Sequence, residues 1–203
     1  MVKTVLFTQR VEIIEAYGER RDCADQRIGE FIASCGFLPV ALPNHPQRAE
    51  KIVCALQPAG IVLTGGNSLV KYGGNAPERD ATDHRLIKLA SEEGIPLYGF
   101  CRGMQSILDY FGSELVEVKG HVAVRHQVGG QESSREVNSY HKQGCLDLAS
   151  EELEAVLMAS DGVIEKMRHR SLPIMGTMWH PEREEIFRET DMAMVRYLFG
   201  GKA

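Results

Sequence analysis

The chain has 203 residues, of which 43% are hydrophobic and 25% charged, a size and balance that suit one globular domain able to bury a core without disulfide or metal staples. Its formal net charge is -5 and no Lys/Arg run stands out, which argues against general nucleic-acid or membrane-surface binding but leaves a nucleotide substrate open. No apolar run approaches the roughly 20 residues of a membrane span, and MVKTVLFTQR lacks the core of a signal peptide, so a cytoplasmic protein is expected.

Strands and helices alternate through the first half. Thr4 to Thr8 reads as a strand, Ala24 to Cys35 as a helix with Ile28, Phe31, Ile32 and Cys35 on one face, and Phe37 to Leu42 as a second strand. A helix over Gln47 to Leu56 precedes the strand Gly60 to Thr64, which runs straight into Gly65-Gly66-Asn67. The polar, glycine-containing segment Asn67 to Arg79 reads as a loop over a site, with Pro77 and Asp80 as turn and helix cap. A helix over Asp80 to Glu93, a strand ending at Cys101 and a helix from Arg102 to Phe111 follow. Apolar strands alternating with helices predict a mainly parallel sheet covered on both faces, with ligands bound beyond the C-terminal strand ends. Gln9-Arg10, Gly65-Gly66-Asn67 and Cys101 all lie at such ends.

The second half changes character. ELVEV, HVAVRHQV, REVNSYH, EAVLMAS, VIEKMRH and IMGTMWH are short strand-like runs, with turn signals at Gly129-Gly130 and Asp161-Gly162. They predict a β meander added to the sheet, closed by an amphipathic helix from Glu184 to Phe199. With no repeat, low-complexity tract or linker, residues 1–203 read as a single domain.

Five cysteines without paired spacing make a poor disulfide framework, and without C-x-x-C or H-E-x-x-H no structural zinc site is expected. Cys35 and Cys54 are expected on apolar helix faces as packing residues. Cys101 differs. In Gly99-Phe100-Cys101-Arg102-Gly103 a cysteine stands on a strand-to-helix turn, boxed by glycines as in the serine elbow G-x-S-x-G. Such a turn exposes the sulfur above the sheet, and the helix start favours its thiolate. A thiolate nucleophile needs a base, and the base an orienting group. His180 ends the strand IMGTMW, and Glu182, two residues on, points the same way and can reach Nδ1, leaving Nε2 for the sulfur. Structural readings stay open beside this: a strand-end cysteine and a packing histidine.

GFCRGMQ together with WHPE resembles the class I glutamine amidotransferase-like superfamily over essentially the whole chain. The resemblance implies a mainly parallel central sheet flanked by helices, with a flavodoxin-like core, and a Cys101-His180-Glu182 triad. It also implies an oxyanion hole from the backbone N–H of Arg102 and that of Gly66, or else Gly65, where glycine lets the backbone approach substrate. The substrate would be a γ-glutamyl amide, cleaved through a γ-glutamyl thioester without metal or organic cofactor. Gln105 would help to hold the glutamyl group. VNSYHKQ and TGGNSLVKYGGNAPERD resemble the γ-glutamyl-γ-aminobutyrate hydrolase branch, which implies that Asn138, Ser139, Tyr140 and His141 line the glutamyl pocket, largely through backbone groups, with Asn67 in the covering loop. TQRV and GHVAVRHQV look closer to a subgroup cleaving γ-glutamyl-CDP-amidate. There Arg10, His121, Arg125 and His126 could meet a diphosphate, or be ordinary exposed charges on a hairpin. Two other readings share these motifs: a glutaminase subunit passing ammonia to a separate synthetase, and a non-catalytic binding protein on the same fold. The motifs leave homo-oligomer formation open.

Overall fold

The structure is a computed structural model, and it describes residues 2–130 and 134–200. β1 (Thr4–Phe7) leads into a two-stranded hairpin, β2 (Arg10–Ile14) and β3 (Glu19–Cys23), and then α1 (Gln26–Ser34), β4 (Leu38–Ala41), α2 (Pro46–Leu56) and β5 (Gly60–Leu63). α3 (Pro77–Glu93), β6 (Leu97–Phe100), α4 (Arg102–Tyr110) and the short β7 (Val116–Glu117) follow. The second half holds β8 (Val122–Gly129), β9 (Ser134–Tyr140), β10 (Gln143–Gly144), β11 (Leu153–Ala159), β12 (Ile164–His169), β13 (Ile174–Thr177) and α5 (Glu189–Gly200).

One 9-stranded sheet organises the fold, in the order β4-β1-β5-β6-β13-β12-β11-β8-β9. β4, β1, β5, β6 and β13 pair in parallel, and the strands beyond β13 pair antiparallel, so the expected meander extends the same sheet. All of β5 and β6 is buried, as the apolar runs GIVL and LYGF require of strands covered on both faces. Side-chain alternation divides the core. Leu6 joins Ile61, Leu63 and Leu97 under α2, α3 and α4, while its neighbours Val5 and Phe7 join Val62, Tyr98 and Phe100 under α1 and α5. Phe199 of α5 fills the place a side chain at Gly60 would need, a burial that contributes about 1.5–3 kcal/mol. No helix among the described residues is long and apolar enough to cross a membrane.

Four details depart from the sequence reading. α3 starts at Pro77, because proline's fixed φ and missing N–H suit the first helical position. α5 starts at Glu189 rather than Glu184, because the preceding residues form a short 3₁₀ turn (Pro181–Arg183) and a loop tied to the site. The hairpin β2–β3 carries mostly exposed side chains and gives little hydrophobic pattern to read. Cys35 is buried as expected, and burial pushes its thiol up to about 12, but Cys54 is exposed because Ala49 and Val53 form the inward face of α2. The turn expected at Gly129-Gly130 runs into residues 131–133, outside the described residues.

Candidate active site

Cys101 is the N-cap of α4, with φ 49° and ψ -111°. A positive φ is costly for a residue with a Cβ, and such strain survives only where the surroundings enforce it. The flanking glycines do so. A Cβ on Gly99 would lie 2.6 Å from the Gly103 carbonyl carbon, and one on Gly103 would collide with the Leu63 carbonyl. Helix α4 therefore sits directly on β5 and β6. The Cys101 N–H donates to the Thr177 carbonyl of β13 at 2.7 Å, and the Cys101 carbonyl accepts from the Gln105 N–H at 3.0 Å.

His180 follows β13, the strand beside β6, which brings it to the same end of the sheet as Cys101. Its Nδ1 lies 2.7 Å from Glu182 Oε1, and both side chains are almost fully buried. His180 Nε2 is buried and has no hydrogen-bond partner among the described residues. Burial alone would lower the His180 pKa, but the negative charges of Cys101 and Glu182 outweigh it and raise the value to about 10. Phe100 and Tyr140 meet the ring edge-on, each with centroids 5.6 Å away.

The backbone around His180 is held from two sides. Asn138 of β9 donates from Nδ2 to the His180 carbonyl at 2.8 Å and accepts the His180 N–H on Oδ1 at 2.9 Å. Arg27 of α1 donates from Nε to the Glu182 carbonyl at 2.8 Å and from Nη2 to the Glu184 carbonyl at 2.6 Å. Asn138 is expected to line a pocket largely through its backbone; in the structure its side chain holds the histidine backbone.

Gly65 and Gly66 form the loop after β5. A Cβ on Gly65 would lie 2.7 Å from His180 Cε1, and Gly66 has φ +83°. Arg79, fully buried at the start of α3, donates to the carbonyls of Thr64 at 2.7 Å and Gly65 at 2.9 Å, and also to that of Gly66. In a planar trans peptide the N–H points opposite the C=O, so holding three successive carbonyls on one side turns the next N–H groups to the other. Burial, with help from the nearby Arg102 charge, lowers the Arg79 pKa to about 9, which leaves it protonated at neutral pH. The Arg102 side chain is itself buried against Asp80, Asp83 and Ser106. The sequence motif placed Arg102 through its backbone alone; the side-chain network and Arg79 were not foreseen, since their roles depend on three segments meeting.

The remaining candidates separate into two groups. A cavity of ≈ 130 Å³ is lined by Arg10, Gly65, Gly66, His180, Glu182 and Arg183, among others. Arg10 lies across Gly66 and pairs with Glu12 at 2.7 Å, while Arg183, not anticipated, lies 4.4 Å over the Tyr140 ring. Asn67 is occupied structurally: its amide exchanges hydrogen bonds with the Val11 backbone at 2.8 and 3.0 Å. Gln105 is buried and donates to the Gln143 carbonyl at 2.9 Å. Arg125 is bound by Glu136 at 3.0 Å and Glu184 at 3.1 Å. Ser139 donates to the His121 carbonyl at 2.7 Å. His121 and His141 are buried and face Glu165, with His126 3.5 Å from the same carboxylate. In this arrangement His121 and His141 offer no edge to a diphosphate or glutamyl group arriving from solvent.

A strained cysteine at a strand-to-helix elbow, a histidine-carboxylate pair and a glycine loop at the C-terminal edge of a parallel sheet are the parts that thiol-dependent acyl transfer requires. The family profile of glutamine amidotransferase class-I matches residues 22–198, and the chain is an enzyme belonging to that family. Among curated relatives, the γ-glutamyl-CDP-amidate hydrolase of Campylobacter jejuni subsp. jejuni serotype O:2 is 31% identical across 87% of this chain and 88% of its own. The γ-glutamyl-γ-aminobutyrate hydrolase of Escherichia coli O157:H7 is 31% identical across 84% of this chain and 81% of its own. A glutamine amidotransferase structure from Thermotoga maritima shares the fold, with a TM-score of 0.65 and 16% identity over 90% of this chain and 77% of that one.

Proposed function

We propose that this chain hydrolyses the γ-glutamyl amide bond of a small γ-glutamyl conjugate, as one catalytic domain. The observation that carries the reading is the His180–Glu182 bond at 2.7 Å with Nε2 left buried and unpartnered at the strand end beside Cys101. Cys101 attacks the γ-carbonyl as a thiolate. The oxyanion is received by the N–H groups of Arg102 and Gly66, or of Gly65. The His180 imidazolium gives its proton to the departing nitrogen, leaving a γ-glutamyl thioester. His180, now neutral, takes a proton from water, whose oxygen attacks the thioester and releases glutamate and the thiolate.

The leaving group is either an amine, as in γ-glutamyl-γ-aminobutyrate, or the phosphoramidate nitrogen of a nucleotide conjugate. Arg10 and Arg183, which share the cavity with Asp25 and Glu182, are the cations that would meet an anionic far end in either case. The extent of the match to the Campylobacter enzyme favours the nucleotide conjugate. The test is glutamate release from glutamine, γ-glutamyl-γ-aminobutyrate, other γ-glutamyl amines and γ-glutamyl-CDP-amidate, ranked by kcat/KM. The expected result is turnover of a conjugate well above that of glutamine, abolished by Cys101→Ala. No turnover of any of these, or full activity in the variant, would overturn the reading.

A further inference from the structure

The histidines that turn away from solvent converge on one point. His121 lies just before β8 and His141 just after β9, held opposite each other by the His141 N–H donating to the His121 carbonyl at 3.0 Å. Glu165 of β12 reaches the same place and is fully buried. His121 Nδ1 and His141 Nε2 are 3.3 Å apart, and each lies 3.2 Å from Glu165 Oε1. These three atoms lie within 4.8 Å of one another. His126 Nε2 is 3.5 Å from the same oxygen.

The far side of each ring fixes its proton. His141 Nδ1 is 3.1 Å from the Gln143 carbonyl, which can only accept, so Nδ1 carries the hydrogen. His121 Nε2 is 2.8 Å from the Asp161 carboxylate and carries the hydrogen there. In the neutral rings, His121 Nδ1 and His141 Nε2 then both aim lone pairs at each other and at a carboxylate oxygen. A proton can bridge one of these pairs; a cation satisfies all three. The backbone carbonyl and carboxylate behind the rings are the usual orienting partners of metal-bound imidazoles. Glu165 Oε2 is also buried without a hydrogen-bond partner among the described residues. Zinc bonds of about 2.0–2.1 Å place neighbouring ligands of a tetrahedron about 3.3 Å apart, which matches the separations of the three donor atoms.

We propose that His121, His141 and Glu165 bind a zinc-class divalent cation in tetrahedral geometry. The donor set of imidazole and carboxylate suits zinc over magnesium or calcium. The site ties the β8–β9 pair to β12. Its His141 shares the Gln143 carbonyl with Gln105, and Asn138, three residues before His141, holds His180. The cation is a fastening behind the catalytic residues and takes no part in the bond-breaking step.

The full chain is stripped with a chelator and titrated with zinc against a chromophoric competitor, then with cobalt(II). The expected results are uptake of one equivalent, the intense visible absorption of tetrahedral cobalt, and a Tm that rises with metal. Glu165→Gln should lose the cobalt spectrum. Asp161 is half exposed, so Asp161→Asn should fold and bind zinc about 10–100-fold more weakly. A folded wild-type chain that takes up no more zinc than Glu165→Gln would overturn the proposal. So would an octahedral cobalt spectrum, or zinc affinity unmoved by both substitutions.

Discussion

The side-chain amide of Asn138 meets both backbone polar groups of His180, donating to its carbonyl at 2.8 Å and accepting its N–H at 2.9 Å. This pair of bonds fixes where the histidine ring sits relative to Cys101. Asn138→Ala removes both in a buried setting. The expected outcome is a kcat fall of about 10²-fold, the scale set by small misplacements of a reacting group. KM should change little, because Asn138 spends its side chain on the enzyme. A kinetic split the other way, with KM rising and kcat intact, would place Asn138 in the substrate pocket instead. A stability loss of roughly 2 kcal/mol, read by urea unfolding, should accompany it.

Arg79 holds the carbonyls of Thr64, Gly65 and Gly66 through one guanidinium. Arg79→Lys keeps the charge but cannot span three acceptors. If the glycine loop supplies an oxyanion donor, kcat should drop about 10²–10³-fold, the effect of losing one such donor. Wild-type kcat in a folded Arg79→Lys protein would show that the loop does not depend on this clamp.

The His180 pKa near 10 carries a pH consequence. Its folded value lies above the ordinary 6.5, so the stability contributed by the charged ring is fully present below about 6.5 and is lost as pH rises towards 10. Nitrogen NMR of the ring should show an imidazolium persisting above neutrality. Cys101→Ala removes a negative charge facing the ring and should move the titration to lower pH. A midpoint identical in both proteins would contradict the charge coupling.

Gly103 lies against the Leu63 carbonyl with no room for a methyl group. Gly103→Ala must push α4 off β5 or fail to fold, and overpacking of this kind costs about 1–3 kcal/mol or more. Thermal unfolding should register a clear drop in Tm. An unchanged Tm would mean that the elbow is looser than its geometry implies.

The mainly parallel core could be anticipated because buried strands and amphipathic helices leave period-specific patterns, as GIVL and the Ile28–Phe31–Ile32–Cys35 stripe do. Cys101, His180 and Glu182 stood out because each lies within a short local motif. Arg27, Arg79 and Arg183 did not, since their work is defined by partners 155 residues away in one case and by loop carbonyls in another. The histidines of GHVAVRHQV and VNSYHKQ looked like pocket residues because a strand pattern shows which residues alternate, but not which face turns inward once β8 and β9 join the sheet. Metal-ligand spacing was absent for a related reason: His121, His141 and Glu165 approach from separate strands.

The central claim is that Cys101 carries the γ-glutamyl group during turnover. The direct measurement is mass spectrometry of protein acid-quenched while turning over a γ-glutamyl substrate, with peptide mapping of the adduct. The predicted result is a single glutamyl addition on the peptide containing Cys101. Glutamate release that continues in Cys101→Ala, with no adduct on the wild-type cysteine, would contradict it.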